Sequence, residues 1–536
     1  MNSAGSSNQQ HFAKIPSANI ERSTFDRSST YKTTFDAGKL IPFFVDEVLP
    51  GDTMNLKSNF LARLATPITP YMDNVYLDVH YFFVPNRLVF NNWEKMNGAQ
   101  EDPGDSTDFL TPQLDATTHA SGFGIQSIYD YMGLPVLVTN IPQADMPNAL
   151  LPRAYNLIWN EWFRDENLQN SLTVDKSDGP DTTSYAIQSR GRRKDYFTSC
   201  LPWPQKGPAV SIPLGSLAPV QGIGKFNKNW VTGPQDVWET NTTAAQSYAK
   251  YTTTASSGSD NTHYIEEDPN KAGYPGIYAN LDEATAATIN SLREAFQLQR
   301  LFERDARGGT RYVEILLSHF GVVSPDFRLQ RPEYLGGGTM DVNVNPIAQT
   351  SESTTGNPQG NLASFAVASG RKGFTHSFVE HGHVIGLISV RAETTYQQGL
   401  NRMWSRRTRF DYYWPTLAHL GEQAVLNKEI YIQGGASSTI DNTAFGYQER
   451  WAEYRYRPST VTGKFRSNDP QSLDFWHLAL DFTALPTLAG LIPETPPIER
   501  IVAVTDEPEF ILDSYTTIKH TRPMPTYSVP GLIDHF

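Results

Sequence analysis

VYLDVHYFFV, residues 75–84, alternates as a strand does: Val75, Leu77, Val79, Tyr81 and Phe83 fall on one face, because successive side chains of an extended chain point to opposite sides. Pro85 ends the run, and Asn86-Arg87-Leu88 leads into a short amphipathic stretch with Phe90 and Trp93. Upstream, a turn is expected at Pro50-Gly51-Asp52. Downstream, VIGLISVR (384–391) and LDFWHLALDF (473–482) read as further strands, the second with Asp474, Trp476, Leu478, Leu480 and Phe482 on its mostly apolar face. Two helices are predicted. Over 153–168, Tyr155, Ile158, Trp159, Trp162 and Phe163 form one stripe behind a first-turn Pro152. From Asp282 to Ala306, Ile289, Leu292, Phe296 and Phe302 lie near one face, and Gly308-Gly309 gives a stop. The strands are far apart in sequence and no repeat of fixed period is present. That pattern fits a β-barrel with large loops better than a meander or a βαβ series.

Composition bounds the class. The chain has 536 residues, 39% hydrophobic and 19% charged, which describes a folded chain with a sizeable core. Length alone fits three or four domains or one β-domain with long insertions. Pro (36) and Gly (38) are spread throughout and favour short strands over long helices. The 44 Lys+Arg against 57 Asp+Glu give a net charge of −13, so bulk neutralisation of phosphate is not expected of this chain. One cysteine, Cys200, excludes an intrachain disulfide and fits a reducing cytoplasm. No apolar run of 18 or more residues and no charged-then-apolar leader is present, so neither membrane insertion nor standard secretion is expected. Residues 1–35 are polar and read as an extended arm. From Gly222 to Gly276 the chain is rich in Thr, Ser, Asn, Gly and Ala, including TNTTAAQSYAKYTTTASSGSDNTHY (240–264). Its aromatics, Trp230, Trp238, Tyr248, Tyr251 and Tyr264, separate it from a plain linker and mark a functional or projecting insertion. A second Ser/Gly/Asn-rich stretch spans about 345–372.

Three basic clusters stand out: Arg190-Gly191-Arg192-Arg193-Lys194; RMWSRRTR from Arg402 to Arg409; and Arg450, Arg455 and Arg457 among Trp451, Tyr454 and Tyr456. Arginine beside aromatic rings binds single strands by charge and base stacking. The candidate nucleic-acid residues are therefore Arg192, Arg193, Lys194, Arg406, Arg407, Arg409, Arg455 and Arg457; the plainer alternative is arginine paired with nearby acids or held at a subunit interface. His381 and His383, with His376 and Glu380 nearby, have the spacing of two ligands on one strand face, but no third ligand is fixed, and a structural role is expected rather than a metal. No cofactor is expected. Gly336-Gly337-Gly338 and Gly222-Ile223-Gly224 lack the spacing of a phosphate loop and read as turns. Glu422 and Glu429 are expected to be surface acids rather than a glycosidase pair, and Cys200 a buried or interface thiol. No catalytic group is identified. A carbohydrate-active β-protein stays as the alternative class, without a signal peptide or a catalytic pair to support it; a DNA-binding enzyme is disfavoured by the net charge.

Five long blocks carry a resemblance. FDAGKLIPFFVDEVLPGDT (35–53), ATPITPYMDNVYLDVHYFFVPNRLVFNNWEKMNG (65–98), RKDYFTSCLPWPQKG (193–207), ERDARGGTRYVEILLSHFGVVSPDFRLQRPEYLGG (303–337) and EHGHVIGLISVRAETTYQQGLNRMWSRRTRFDYYWPTLAHLGEQAV (380–425) run in order. They are similar to the major capsid proteins of the Microviridae, in the gokushovirus branch. The match is weakest over 105–150, 222–276 and 340–370. The resemblance implies a mainly β fold: an eight-stranded viral jelly-roll β-barrel with long insertion loops and a few helices, covering 36–536 as one domain behind the arm 1–35. It implies a structural virion protein of a small bacteriophage, not an enzyme, assembled in the bacterial cytoplasm. Pentamers would build a T=1 icosahedral shell of 60 copies around circular single-stranded DNA. The implied partners are a small basic DNA-binding packaging protein, an internal scaffolding protein, a minor pilot protein and a host surface receptor. Residues 224–275 would form a protrusion at the threefold axes, with Trp230, Trp238, Tyr248, Tyr251 and Tyr264 as candidate host contacts. A shell subunit must also bury about 2,000–5,000 Å² against its neighbours, and its stock of Trp, Tyr, Phe and Arg suits such contacts.

Overall fold

A computed structural model of the chain describes residues 21–210, 220–221, 277–279, 289–322, 330–355 and 358–527. The chain divides into two units, residues 205–321 and the remainder on either side of them.

The larger unit is mainly β, and its two main sheets are antiparallel and open. Its strands are β1 (Ser23–Asp26), β2 (Ser29–Phe35), β3 (Ile41–Val48), β4 (Thr53–Leu64), β5 (Val75–Pro85), β6 (Glu333–Asp341), β7 (Asn343–Ala348), β8 (Leu362–Ser377), β9 (Gly382–Ala392), β10 (Glu422–Leu426), β11 (Ala444–Glu449) and β12 (Phe510–Arg522). One sheet has the order β1-β12-β4-β8-β7, with β2 also on β12; the other has the order β3-β9-β5-β6. Residues 23–35, within the segment read as an arm, are thus two strands hydrogen-bonded to the C-terminal strand.

The quoted run is β5, and the face predicted for it is the inner one. Val75, Leu77, Val79, Tyr81 and Phe83 are buried in one core with Met54, Leu56, Phe60, Ala62 and Leu64 of β4 and Phe510, Leu512 and Ile518 of β12. The two sheets differ on their other sides. In β4 and β12 buried and exposed residues alternate, so the six-stranded sheet has one face in the core and one in solvent. In β9 every residue is buried. Its second face, with Phe82 and Val84 of β5, packs under a helix, α1 (Leu150–Ile158), through Leu150, Ala154, Tyr155 and Ile158. A strand covered on both sides reads as a continuous apolar run, which is why VIGLISVR lacks alternation. Helix α1 starts three residues before the predicted bound, continues as one wide turn over Trp159–Phe163, and ends where Arg164 becomes extended.

Two local expectations are corrected. LDFWHLALDF is not a strand: Asp474–Trp476 is a short helical turn, and the rest is an extended segment whose backbone is satisfied outside any sheet. Leu480 N–H donates to the Thr395 carbonyl (2.9 Å), Phe482 N–H to Gln398 Oε1 (2.7 Å), and Leu478 N–H to Asp73. Its two-residue period does not correspond to one buried face, since His477, Leu478 and Ala479 are all buried in succession. Gly336–Gly338 is not a turn but lies inside β6. There a Cβ on Gly337 (φ +152°) would sit 2.0 Å from the Val79 carbonyl oxygen, so β6 lies against β5 only because glycine stands there. Residues 362–372, within the second Ser/Gly/Asn-rich stretch, belong to the 16-residue β8.

In the smaller unit, α2 (Ile289–Arg307) ends at Gly308, whose N–H donates to the Arg304 carbonyl (2.7 Å), and α3 (Tyr312–Phe320) follows. His319 Nε2 of α3 meets Asp305 Oδ1 of α2 at 2.7 Å.

Replacing Gly337 by Ala should lower stability by about 3 kcal/mol or more, since both the contact and the dihedral oppose a Cβ; urea unfolding within about 1 kcal/mol of wild type would contradict the close strand approach. A second expectation concerns pH. Burial pushes the His383 imidazole down to about 4, and its Nδ1 has no hydrogen-bond partner among the described residues. Between the unfolded value of about 6.5 and the folded one, the native site binds fewer protons than the unfolded chain. The stability involved is complete above about pH 6.5 and is lost as the pH falls toward about 4. His383→Leu should therefore lose about 3 kcal/mol less than wild type between about pH 7 and pH 4; equal losses in urea unfolding would show that the ring protonates freely in the fold.

Candidate nucleic-acid interface

The three basic clusters meet different fates. Arg190 is drawn inside: it pairs with Asp78, donates to Ser389 Oγ (3.1 Å), and shares Asp78 with buried Arg391 (2.7 Å). Burial raises the Asp78 carboxyl, but Arg190, Thr339 and Arg391 together outweigh it and hold the group below its usual range. Arg192 is also buried; its Nε donates to the Pro493 carbonyl (3.1 Å) and its Nη2 to Thr495 Oγ1 (2.8 Å). Only Arg193 and Lys194 of this cluster are exposed. The Arg193 guanidinium lies 5.4 Å from the Tyr76 ring centre, and Lys194 Nζ pairs with Asp165 and reaches the Thr198 carbonyl (3.0 Å).

The other two clusters come together. Strands β10 and β11 pair antiparallel, Glu422 opposite Glu449, so the chain entering β10 lies beside the chain leaving β11; Arg450 N–H donates to the Gly421 carbonyl at 3.0 Å. Trp451 sits at the junction in the left-handed region (φ +69°), with its indole buried and Nε1 donating to the Leu417 carbonyl (2.9 Å). A bulky residue in that conformation is held by its surroundings. Tyr413 meets the Trp451 ring edge-on at 5.7 Å. Arg406 joins the segments: it pairs with Glu453 (3.1 Å), and its guanidinium lies 4.2 Å from the Tyr454 ring centre and 5.6 Å from that of Tyr412. Asp411 tightens the loop, accepting from the N–H groups of Thr408 (2.7 Å) and Arg407 (2.9 Å), and those bonds hold its carboxyl below the usual range.

What these joined segments turn to solvent is cations and rings. Arg407, Arg409, Arg455 and Arg457 are exposed, as are Trp404 (72%), Phe410 (62%) and Tyr456 (53%). Arg409 lies 5.3 Å from Phe410 and 5.6 Å from Trp414, and Arg455 is paired with Glu449. Such a surface offers charge for phosphates and flat rings for unpaired bases. The sequence reading assigned the arginines and passed over Trp404, Phe410 and the Tyr412–Trp414 run; the arginine–aromatic interleaving through RMWSRRTRFDYYWP was the available signal. Beneath the surface, Arg402 meets Glu429 (3.4 Å), and the Tyr196 hydroxyl donates to Glu429 Oε2 (2.9 Å). Glu429 is thus buried, not the surface acid expected; burial raises its carboxyl and Arg402 partly offsets that.

The remaining candidates are structural in placement. The His381 ring meets Trp93 edge-on at 5.6 Å, His383 is buried, and His376 Nε2 faces Glu333 at 3.4 Å. Among the described residues no group of three His, Cys, Asp or Glu side chains is placed to hold a metal ion. Cys200 is buried against the Tyr196 carbonyl (3.4 Å), and burial pushes its thiol up to about 12. The segment 224–275, with Trp230, Trp238, Tyr248, Tyr251 and Tyr264, lies outside the described residues, as does Gly222-Ile223-Gly224. Among the described residues no helix is long and apolar enough to cross a membrane.

Comparison with known proteins places the whole chain. The family described as capsid protein (F protein) matches residues 13–532. The chain is 51% identical to capsid protein VP1 of Bdellovibrio phage phiMH2K, over 99% of both chains, and 44% identical to capsid protein VP1 of Chlamydia phage 1, over 98% of both. It is 34% identical to capsid protein VP1 of Spiroplasma virus 4, over 97% of both. The chain therefore belongs to the capsid protein (F protein) family in its gokushovirus-type Microviridae branch, and is a structural protein of the phage virion rather than an enzyme.

Proposed function

We propose that the chain is the repeating subunit of a T=1 icosahedral shell of 60 copies around circular single-stranded DNA, and that its larger unit is an eight-stranded jelly roll. The observation that carries this reading is the strand order. Four strands, β2-β12-β4-β8, face four others, β3-β9-β5-β6, and the chain changes sheet from β2 to β3, β3 to β4, β4 to β5, β6 to β8 (through β7), β8 to β9 and β9 to β12. Two interlocked Greek keys of this kind make a jelly roll, a fold common to viral shells; β1 and β7 extend one sheet at its edges. Fold alone does not assign function; membership of a capsid protein family supports the reading.

Genome contact is assigned first to the surface around Arg407, Arg409, Arg455 and Arg457 of the sequence-predicted set, together with the exposed rings of Trp404, Phe410 and Tyr456. Arg193 and Lys194 are exposed as well, whereas Arg192 and Arg406 are held by their own neighbours. With a net charge of −13, most phosphate is left to a separate basic packaging protein. Scaffolding and pilot proteins and a host receptor complete the set that the resemblance implies. The aromatic-bearing insertion 224–275 is the proposed threefold protrusion and host contact, on the strength of its sequence.

Electron microscopy of material from producing cells should show uniform icosahedral particles; a monodisperse monomer would overturn the shell reading. For the surface, Trp404→Ala should weaken binding of single-stranded DNA by about 1–3 kcal/mol with little change in salt dependence. Arg407→Gln with Arg409→Gln should instead flatten that dependence. Loss of assembly with unaltered DNA binding would make the surface a contact between subunits. Deleting residues 230–272 should leave assembly intact and reduce adsorption to the host; unchanged adsorption would remove the host-contact role.

A further inference from the structure

Among the described residues nothing covers the outer face of the six-stranded sheet, and the charge on that face runs against the charge of the chain. Along β4 the outward residues are Asn55, Lys57, Asn59, Leu61 and Arg63; along β12 they are Ile511, Asp513, Tyr515, Thr517 and Lys519; along the corresponding part of β8 they include Ser369, Arg371, Gly373 and Thr375. With the flanking β1 and β2, these positions carry five cations, Lys32, Lys57, Arg63, Arg371 and Lys519, against two carboxylates, Asp26 and Asp513. Asp513 is already paired with Lys32 (3.2 Å), and Asp26 stands opposite Lys519. Lys57, Arg63 and Arg371 are exposed and have no ion-pair partner among the described residues. In a chain at −13, a broad face so poor in acid is a concentrated departure.

The face also has relief. Gly373 stands directly opposite Lys57, and Arg371 is two residues along, opposite Asn59. A Cβ on Gly373 would lie 2.1 Å from the Leu56 carbonyl oxygen, so the position is bare, and a hollow lined by Lys57, Arg371, Lys372 and Thr375 opens over it. Tyr515, half exposed, extends the Asn59–Arg371 row on the neighbouring strand. From the Asn55–Lys519 pair to Arg63 the cations follow β4 for eight residues, roughly 26 Å at the rise of a strand. That is an extended line of positive charge with amide and hydroxyl groups between, not a point site.

We propose that this outer face binds the sugar–phosphate backbone of single-stranded nucleic acid, with a phosphate in the hollow between Lys57 and Arg371 and the strand continuing toward Arg63 in one direction and Lys519 in the other. The inference rests on the shell reading for the presence of such a strand. It is separate from the arginine–aromatic surface, because here the phosphates are recognised and the bases, Tyr515 aside, are left free. The choice of a polyanion over an apolar partner follows from the charge and from the Asn, Ser and Thr groups around Lys57 and Arg371; the apolar side chains of the face, Leu61, Ile511, Val367 and Phe365, lie toward its Arg63 end.

The test uses the full chain released from particles and oligodeoxythymidylate as the probe, with affinity measured over a range of salt. Lys57→Gln and Arg371→Gln together should reduce the slope of log affinity against log salt by about 1.4, since each lost phosphate contact on a single strand is worth about 0.7; adding Arg63→Gln and Lys519→Gln should bring the reduction to nearly 3. Lys57→Arg should keep the wild-type slope. These side chains are exposed, so unfolding temperatures should stay near wild type, and the two-site variant suffices should the four-site variant fail to fold. An unchanged slope overturns the inference. So does a variant that binds DNA as before but no longer assembles, since the face would then be a subunit contact. Wild-type particles without single-stranded DNA would instead overturn the shell reading.

Discussion

Between the two sheets of the larger unit, a short chain of hydroxyls crosses an otherwise apolar core. The Tyr81 hydroxyl of β5 donates to Ser58 Oγ of β4 at 2.7 Å, and Ser58 Oγ lies 2.8 Å from Thr516 Oγ1 of β12. All three residues are buried, with Phe43 edge-on to Tyr81 at 5.7 Å and to Phe60 at 5.2 Å. An unpartnered hydroxyl there would cost about 1–3 kcal/mol, so the three groups satisfy one another or the core is destabilised. A slip of β4 by one residue would turn Ser58 outward and bring Asn59 or Lys57 into the core. The relay therefore fixes the register of three strands drawn from residues 58, 81 and 516, and the rest of the unit is arranged around that register.

Once the inner faces are committed, the outer faces diverge. The four-stranded sheet is sealed by α1 and its loops, and sealing forces its polar groups to find partners inside. Asp78 is surrounded by Arg190, Arg391 and Thr339; Arg153 in α1 is wholly buried and reaches Asp181 (2.7 Å), the Val89 carbonyl (3.1 Å) and the Ser177 carbonyl (3.0 Å). Removing one partner of such a pair leaves a charge without compensation, which makes these groups structural fixtures. The six-stranded sheet is left with an open polar face. A shell subunit needs both kinds of surface, one rigid enough to hold its form and one free to meet something else.

The sequence disclosed this unevenly, and the reasons are physical. β5 was legible because its inner positions are all apolar, and β9 because burial on both sides filled it with apolar residues. β12 went unseen although it pairs with β1, β2 and β4. Its inward positions include Ser514, Thr516 and His520, whose polarity is answered by Tyr31, Ser58 and Asp52 from distant parts of the chain. A local pattern cannot show that a polar residue has a buried partner 458 residues away. LDFWHLALDF failed in the opposite sense: its letters alternate, but the segment opens with a helical turn and then buries His477, Leu478 and Ala479 in succession, bonded to loops rather than to a sheet. In the site, the arginine clusters were visible as letters, but the pairing of β10 with β11 that merges two of them, and the acids that absorb Arg190 and Arg406, exist only in three dimensions.

That last point bears on how charge should be counted. The 44 Lys and Arg of this chain do not measure the positive charge available to a ligand. Arg27 is held by Asp46, Arg87 by Glu380, Arg153 by Asp181, Arg190 and Arg391 by Asp78, and Arg406 by Glu453, each within hydrogen-bonding distance. Such pairs contribute little field beyond their immediate surroundings, because the opposite charges cancel at a distance and salt screens what is left within about 8 Å. The cations that still project a field are those without an acid beside them; among the described residues they include Arg407 and Arg409 on the arginine–aromatic loops and Lys57, Arg63 and Arg371 on the open face of the six-stranded sheet. An acidic protein can therefore present basic ground to a polyanion without changing its net charge, provided the fold absorbs its other arginines internally. The buried ion pairs and the exposed cations are in this sense one design, since each arginine drawn inside by a carboxylate leaves the positive surfaces more sharply bounded.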